Sequence, residues 1–183
     1  MRSEAPNSVR RIVTIDDAGG KSVAIHDGPT PDVRTDPARP GFAAMRIWIT
    51  DTPASITHAR DPLALPHTIE PPPRGSVCRI VTIPPDTAFL GKVGAREVAA
   101  FFRAMGSPAA STYSAQAPHP YMQKTRTLDF CLILEGEVTL VLDTAEVQLA
   151  AGDTVVQRGT NHAWSNRSDR PCTIAISSHD AAD

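Results

Sequence analysis

From Tyr121 onward the chain consists of short apolar runs with turn residues at the breaks, and no run is long enough for more than one strand. LDFCLIL leads into Glu135-Gly136-Glu137; VTLVLD, AEVQLA, the pair Gly152-Asp153, TVVQR and PCTIAIS follow. Short runs rich in β-branched residues and separated by glycine turns are the pattern of a sandwich or closed barrel rather than of helices. Both faces of LDFCLIL and VTLVL are apolar, which predicts strands covered on both sides. The fold class expected is all-β: a jelly-roll barrel with an N-terminal strand extension and one short helix.

Upstream, proline dominates. Many of the 17 prolines fall in PTPDVRTDPARP, DPLALPHTIEPPPRG and IPPD. Proline cannot donate to a strand ladder, so these stretches read as loops between short strands at Arg11–Ile15, Lys21–His26, Phe42–Thr50 and Val77–Ile83. DDAGG between the first two predicts a hairpin turn. In AREVAAFFRAMGSP, Val98, Phe101, Phe102 and Met105 recur at helical spacing, with Gly106 as the stop. That predicts a helix over Arg96–Met105 whose Phe pair packs into the core. Residues 1–115 offer too few strands to close a core of their own. One domain over 1–183 is expected, its barrel core at 116–178, with the N-terminal arms packed on the barrel or exchanged across a homodimer.

Lys and Arg total 18 against 20 Asp and Glu. A formal charge of -2 gives no electrostatic reason to expect nucleic acid or an anionic membrane as partner. The N-terminus lacks the apolar stretch of a signal peptide, and no run is long enough to span a bilayer. Cys78, Cys131 and Cys172 are widely spaced and lie in apolar runs, which suits reduced thiols and a cytoplasmic location.

Two blocks resemble the motifs of the cupin superfamily. HPYMQKTRTLDFCLILEGEVTLVL is similar to the first cupin motif, in which metal-ligand positions and an acidic residue precede a strand ending in a glycine turn. AGDTVVQRGTNHAWSN is similar to the second, with Gly152-Asp153, His162 and Asn166 at its marked positions. More narrowly, the RRIVT strand, the AFFRAMG helix and the QRGTNHAW box resemble a subgroup of small bacterial and fungal cupins. The first motif of that subgroup implies Met, His, a basic residue and Thr, whereas this chain has Met122, Gln123, Lys124 and Thr125. Glutamine stands at the histidine position.

If the strand is unbroken through Thr127, alternation places Gln123, Thr125, Thr127, Asp129, Cys131 and Ile133 on one face, which in a cupin looks into the barrel. The candidate catalytic residues are His162, Asp129 and Gln123. His162 is a ligand or a general acid/base, or else a barrel-mouth histidine that holds a loop. Asp129 is its orienting or proton-transfer partner, or a strand carboxylate paired with Lys124 or Arg126. Gln123 hydrogen-bonds a substrate carbonyl or fills the space of a lost ligand. Tyr121, Trp164, Thr125 and Thr127 are the candidate substrate-binding residues. If a metal is held, its donors are His162, Asp129, Gln123 and His119. An amide oxygen is a poor donor for Fe, Mn, Ni or Zn, so the cofactor is either none or one such divalent ion. Cys131 reads as core, His58 and His67 as solvated, and Asn166 as structural.

The resemblance implies an enzyme acting on a small molecule by non-redox acid/base chemistry (cyclisation, dehydration, isomerisation or decarboxylation) in secondary metabolism or aromatic catabolism. A metal-dependent dioxygenase or decarboxylase is one alternative; a non-catalytic small-molecule binding protein is the other.

Overall fold

A computed structural model describes residues 9–16, 18, 22–51 and 61–181. Its strands are β1 (Arg10–Asp16), β2 (Ser22–Pro29), β3 (Val33–Thr35), β4 (Ala43–Thr50), β5 (Ser76–Ile83), β6 (Thr127–Glu135), β7 (Glu137–Leu142), β8 (Glu146–Ala150), β9 (Thr154–Arg158), β10 (His162–Ser165) and β11 (Cys172–Asp180), with one helix, α1 (Ala95–Ala104), between β5 and β6. Strands β1 and β2 form the expected antiparallel hairpin; of its turn, Asp17 and residues 19–21 lie outside the described residues. The strand β3, within the proline-rich PTPDVRTDP, was not foreseen.

A six-stranded sheet in the order β3-β4-β5-β11-β6-β9 packs against a three-stranded sheet in the order β10-β7-β8. Ala44, Val81, Ile83, Cys131, Ile133 and Ile174 from the larger sheet meet Val138, Leu140, Leu149 and Trp164 from the smaller in one buried cluster. The fold is a jelly roll whose core lies between the sheets. Because β4 and β5 pair into the same sheet as β6, β9 and β11, strands from both halves of the chain share that core.

Alternation decides which side chains enter. Along β5, Val77, Arg79, Val81 and Ile83 are buried while the residues between them are partly exposed. Along β6 the inward face is Thr127, Asp129, Cys131 and Ile133, and the outward face, Phe130, Leu132 and Leu134, is 50%, 39% and 46% exposed. The expectation of two covered faces therefore holds for β7, where Val138 to Val141 are all buried, and fails for β6 in the single chain. An apolar outer face shows only that a strand could be covered, not that its own chain covers it.

Helix α1 begins one residue earlier than expected. Glu97 accepts the Gly94 amide at its N-terminus, and Val98, Phe101, Phe102 and the following Met105 turn into the core. Gly106 ends it at φ 70°, and a Cβ there would lie 1.9 Å from the His67 carbonyl oxygen, so no larger residue fits. His67 is buried, contrary to its reading as solvated: Nδ1 lies 3.1 Å from the Asp32 carboxylate, which also pairs with Arg46 at 2.6 Å. Arg46, 1% exposed, donates to the carbonyls of Leu63, Leu65 and Pro66, each at 2.8 Å, and pins the proline-rich segment to the sheet. His58 lies outside the described residues. No described helix is long and apolar enough to cross a membrane.

Candidate active site

The two motif blocks meet through the backbone. Gln123 donates its amide to the His162 carbonyl at 2.8 Å, and His162 returns the bond at 2.9 Å. A mutually bonded antiparallel pair sets its side chains next to each other on one face. The result is a contact between the Gln123 amide nitrogen and His162 Nε2 at 3.3 Å. His162 Nδ1 is 2.9 Å from the Thr160 carbonyl, which can only accept, so Nδ1 carries the proton and Nε2 the lone pair. Gln123 is then the donor. The imidazole is 3% exposed, and burial holds its pKa below the ordinary value despite the Thr160 bond and the Asp129 charge pulling the other way.

Asp129, 7% exposed, faces inward beside Ser178 of β11. Its Oδ1 is buried without a hydrogen-bond partner. Lys124 and Arg126, its alternative partners, lie before β6 and are exposed, and Arg126 Nε donates to the Ala181 carbonyl. The Asp129 charge acts instead on His162 and on buried Arg79.

Between the sheets lies a cavity of about 70 Å³, room for several waters or a small organic molecule. Its wall includes Tyr121, Gln123, Trp164, Phe42, Phe101 and Met105. Of the expected catalytic residues, Gln123 reaches this wall; His162 stands beside it, packed edge-on against Trp164 at 5.8 Å, and Asp129 lies off the lining. The expected substrate-binding residues divide. Tyr121 and Trp164 line the cavity, whereas Thr125 and Thr127, bonded to each other at 2.8 Å, border a separate hollow with Glu70 and Arg158.

Two arginines on the cavity wall went unnoticed in the sequence. Arg79 donates to the carbonyls of Thr68 and Ile69 and to the Ser178 hydroxyl. Its signal was present, since period-two alternation puts it on the same face as Val77, Val81 and Ile83. Arg39, 4% exposed, sits in the turn before β4 and had no such signal. Its guanidinium lies over the rings of Tyr121, Phe42 and Phe89 at 4.1, 4.7 and 4.9 Å from their centroids. Burial lowers its pKa to about 10, so it remains charged at neutral pH.

The four expected metal donors are not gathered at one point. His119 Nδ1 accepts the Tyr121 amide at 3.2 Å, so Nε2 carries the proton and faces Asp86 Oδ1 at 3.7 Å. Asp86 also accepts from the Ser165 hydroxyl and the Asn166 amide, and His119 thus belongs to a loop-holding cluster. Among the described residues no group of three or more His, Cys, Asp or Glu side chains is placed to hold a metal ion. One imidazole whose lone pair meets an amide, one carboxylate and one glutamine do not fit a transition metal, which requires several basic donors. Asn166, fully buried, donates to the carbonyls of Ile83 and Arg170 and has the structural place expected of it. Cys131 is core, its thiol pushed up to about 12 by burial.

Residues 113–177 match the Cupin domain family. Phomopsin biosynthesis cluster proteins C' and D of Diaporthe leptostromiformis are each 52% identical over 48 residues, 26% of this chain and 25% of theirs. Oryzines biosynthesis cluster protein J of Aspergillus oryzae is 46% identical over 50 residues, 27% of this chain and 28% of that protein. The chain thus spans about a quarter of the length of the curated relatives it matches. Among solved structures, the Schizosaccharomyces pombe Cnp3 cupin domain aligns with TM-score 0.47 and 7% identity over 94% of this chain and 88% of that one. A cupin 2 conserved barrel domain protein from Salinispora arenicola aligns with TM-score 0.41 and 16% identity over 82% of each. The family match spans β6 to β10 and most of β11 and takes in the paired Gln123 and His162, so that the stretch 113–177 is a cupin domain.

Proposed function

We propose that the protein is a small-molecule enzyme of secondary metabolism that moves protons on an organic substrate held between its sheets. The observation that carries this reading is the neutral His162, whose Nε2 lone pair is met, among the described residues, only by the Gln123 side-chain amide. A substrate group that displaces that amide presents its own proton to Nε2, and the nearby Asp129 charge stabilises the imidazolium that forms. Gln123, released, hydrogen-bonds the substrate. Tyr121 and Trp164 wall the cavity. The biosynthesis-cluster relatives support the metabolic setting over the stretch they share.

Deleting the gene in its source organism and profiling small molecules tests this. An intermediate should accumulate, and purified protein should convert it in the presence of a chelator, with the rate lost in His162→Gln and in Asp129→Asn. Conversion at the wild-type rate by both variants would rule the reading out. The non-catalytic alternative keeps a specific support, because His162 and Asp129 are off the cavity lining. It is favoured if the accumulated compound binds and returns unchanged.

A further inference from the structure

Arg39 is the anomaly of the cavity. Its guanidinium makes no side-chain hydrogen bond or ion pair with any described residue, and its Nε is buried without a partner. The carboxylates that act on it, Asp36 and Asp86, are committed elsewhere: Asp36 accepts the Tyr121 hydroxyl at 2.9 Å and the Ala38 amide at 3.0 Å, and Asp86 accepts from Ser165 and Asn166. Stacking on aromatic faces offsets part of the charge but leaves the in-plane N–H fork unused. A buried cation with idle donors is costly in an empty site and is relieved by an anion. Arg79, on the same wall, already spends its donors on two carbonyls and a hydroxyl.

We infer that Arg39 binds the carboxylate of a small, largely apolar organic acid whose body fills the cavity against Phe42, Phe101 and Trp164. The planar fork of a guanidinium matches a carboxylate in two parallel hydrogen bonds. The apolar wall excludes a strongly hydrated ligand, and the negative charges of Asp36 and Asp86 nearby select a monoanion over a phosphate dianion. This inference rests on the reading of the cavity as the substrate site, and it adds the substrate's charge and the residue that recognises it.

The test is a panel of monocarboxylates from acetate to cinnamate, each beside its primary amide, titrated into 15N-labelled protein. Two signals are followed by NMR, the Arg39 Nε–Hε and the Trp164 indole N–H. Acids should bind at least about tenfold more tightly than their amides. They should shift both signals, and Arg39→Gln should weaken the acids to the level of the amides without changing the amides. Arg39→Lys keeps the charge without the fork and should recover only part of the difference; it also serves where Arg39→Gln fails to fold. If acids and amides shift the indole alike and leave the Arg39 signal unmoved, the carboxylate site is overturned while the cavity stands as a binding site. If neither class moves either signal, both readings fail.

Discussion

The side-chain amide of Gln123 lies 3.3 Å from Nε2 of His162, and the two residues exchange both backbone hydrogen bonds. A histidine at position 123 would therefore stand beside His162 with no change in the main chain, while Asp129 faces the core from β6 of the other sheet. Gln123→His is expected to bind Zn²⁺ or Ni²⁺ at least about tenfold more tightly than the wild type, because a second basic nitrogen replaces an amide. Calorimetric titration of both proteins with each metal checks this. Equal affinity would mean that position 123 is not what keeps a metal from this site.

Burial holds the imidazoles of His162 and His67 below their ordinary value of 6.5. As pH falls through about 6.5 the unfolded chain takes up these protons and the folded chain does not until lower pH, so the unfolded state binds more protons and stability declines. The urea midpoint should hold steady above about pH 7.5 and fall between about pH 6.5 and 5, where most carboxylates are still ionised. His162→Gln should flatten part of the decline. A midpoint that rises on acidification would contradict neutral, buried imidazoles.

The part of this architecture that follows local rules was legible in the chain. Period-two alternation placed Asp129 inward on β6, helical spacing found α1, and the glycine after it is required by the His67 carbonyl. The buried arginines were not legible. Arg46 owes its burial to carbonyls 17 to 20 residues away in a proline-rich loop, and Arg39 to four rings drawn from four separate segments. A cation in a sequence reads as solvated, because only the assembled fold supplies partners for it. His119 was misplaced for the same reason: its partner Asp86 is brought to it by tertiary structure.

Asn166 links three segments. It donates to the carbonyls of Ile83 and Arg170, accepts from Ser168, and gives its backbone amide to Asp86. Asn166→Ala removes the side-chain bonds and strands two carbonyls, at a cost of roughly 2–4 kcal/mol. The urea midpoint should drop with an unchanged slope. A loss well under about 1 kcal/mol would show that water replaces the amide.

The outer face of β6 offers the last expected outcome. Phe130 pairs across the ladder with Val156, which is 59% exposed, and Leu132 and Leu134 extend the same apolar surface. Along β6 this face carries no charge, and in a single chain it faces water. A surface without charge gives an unlike partner little to recognise, whereas an identical surface buries it through a two-fold axis. A homodimer built on this face is therefore expected in solution at micromolar concentration. Phe130→Glu places a carboxylate near the centre of the row and should shift the mass from dimer to monomer, while the buried inner face of β6 keeps the far-ultraviolet circular dichroism unchanged. Light scattering coupled to size exclusion decides: a wild-type monomer excludes the dimer, and a Phe130→Glu variant that remains dimeric moves the interface away from β6.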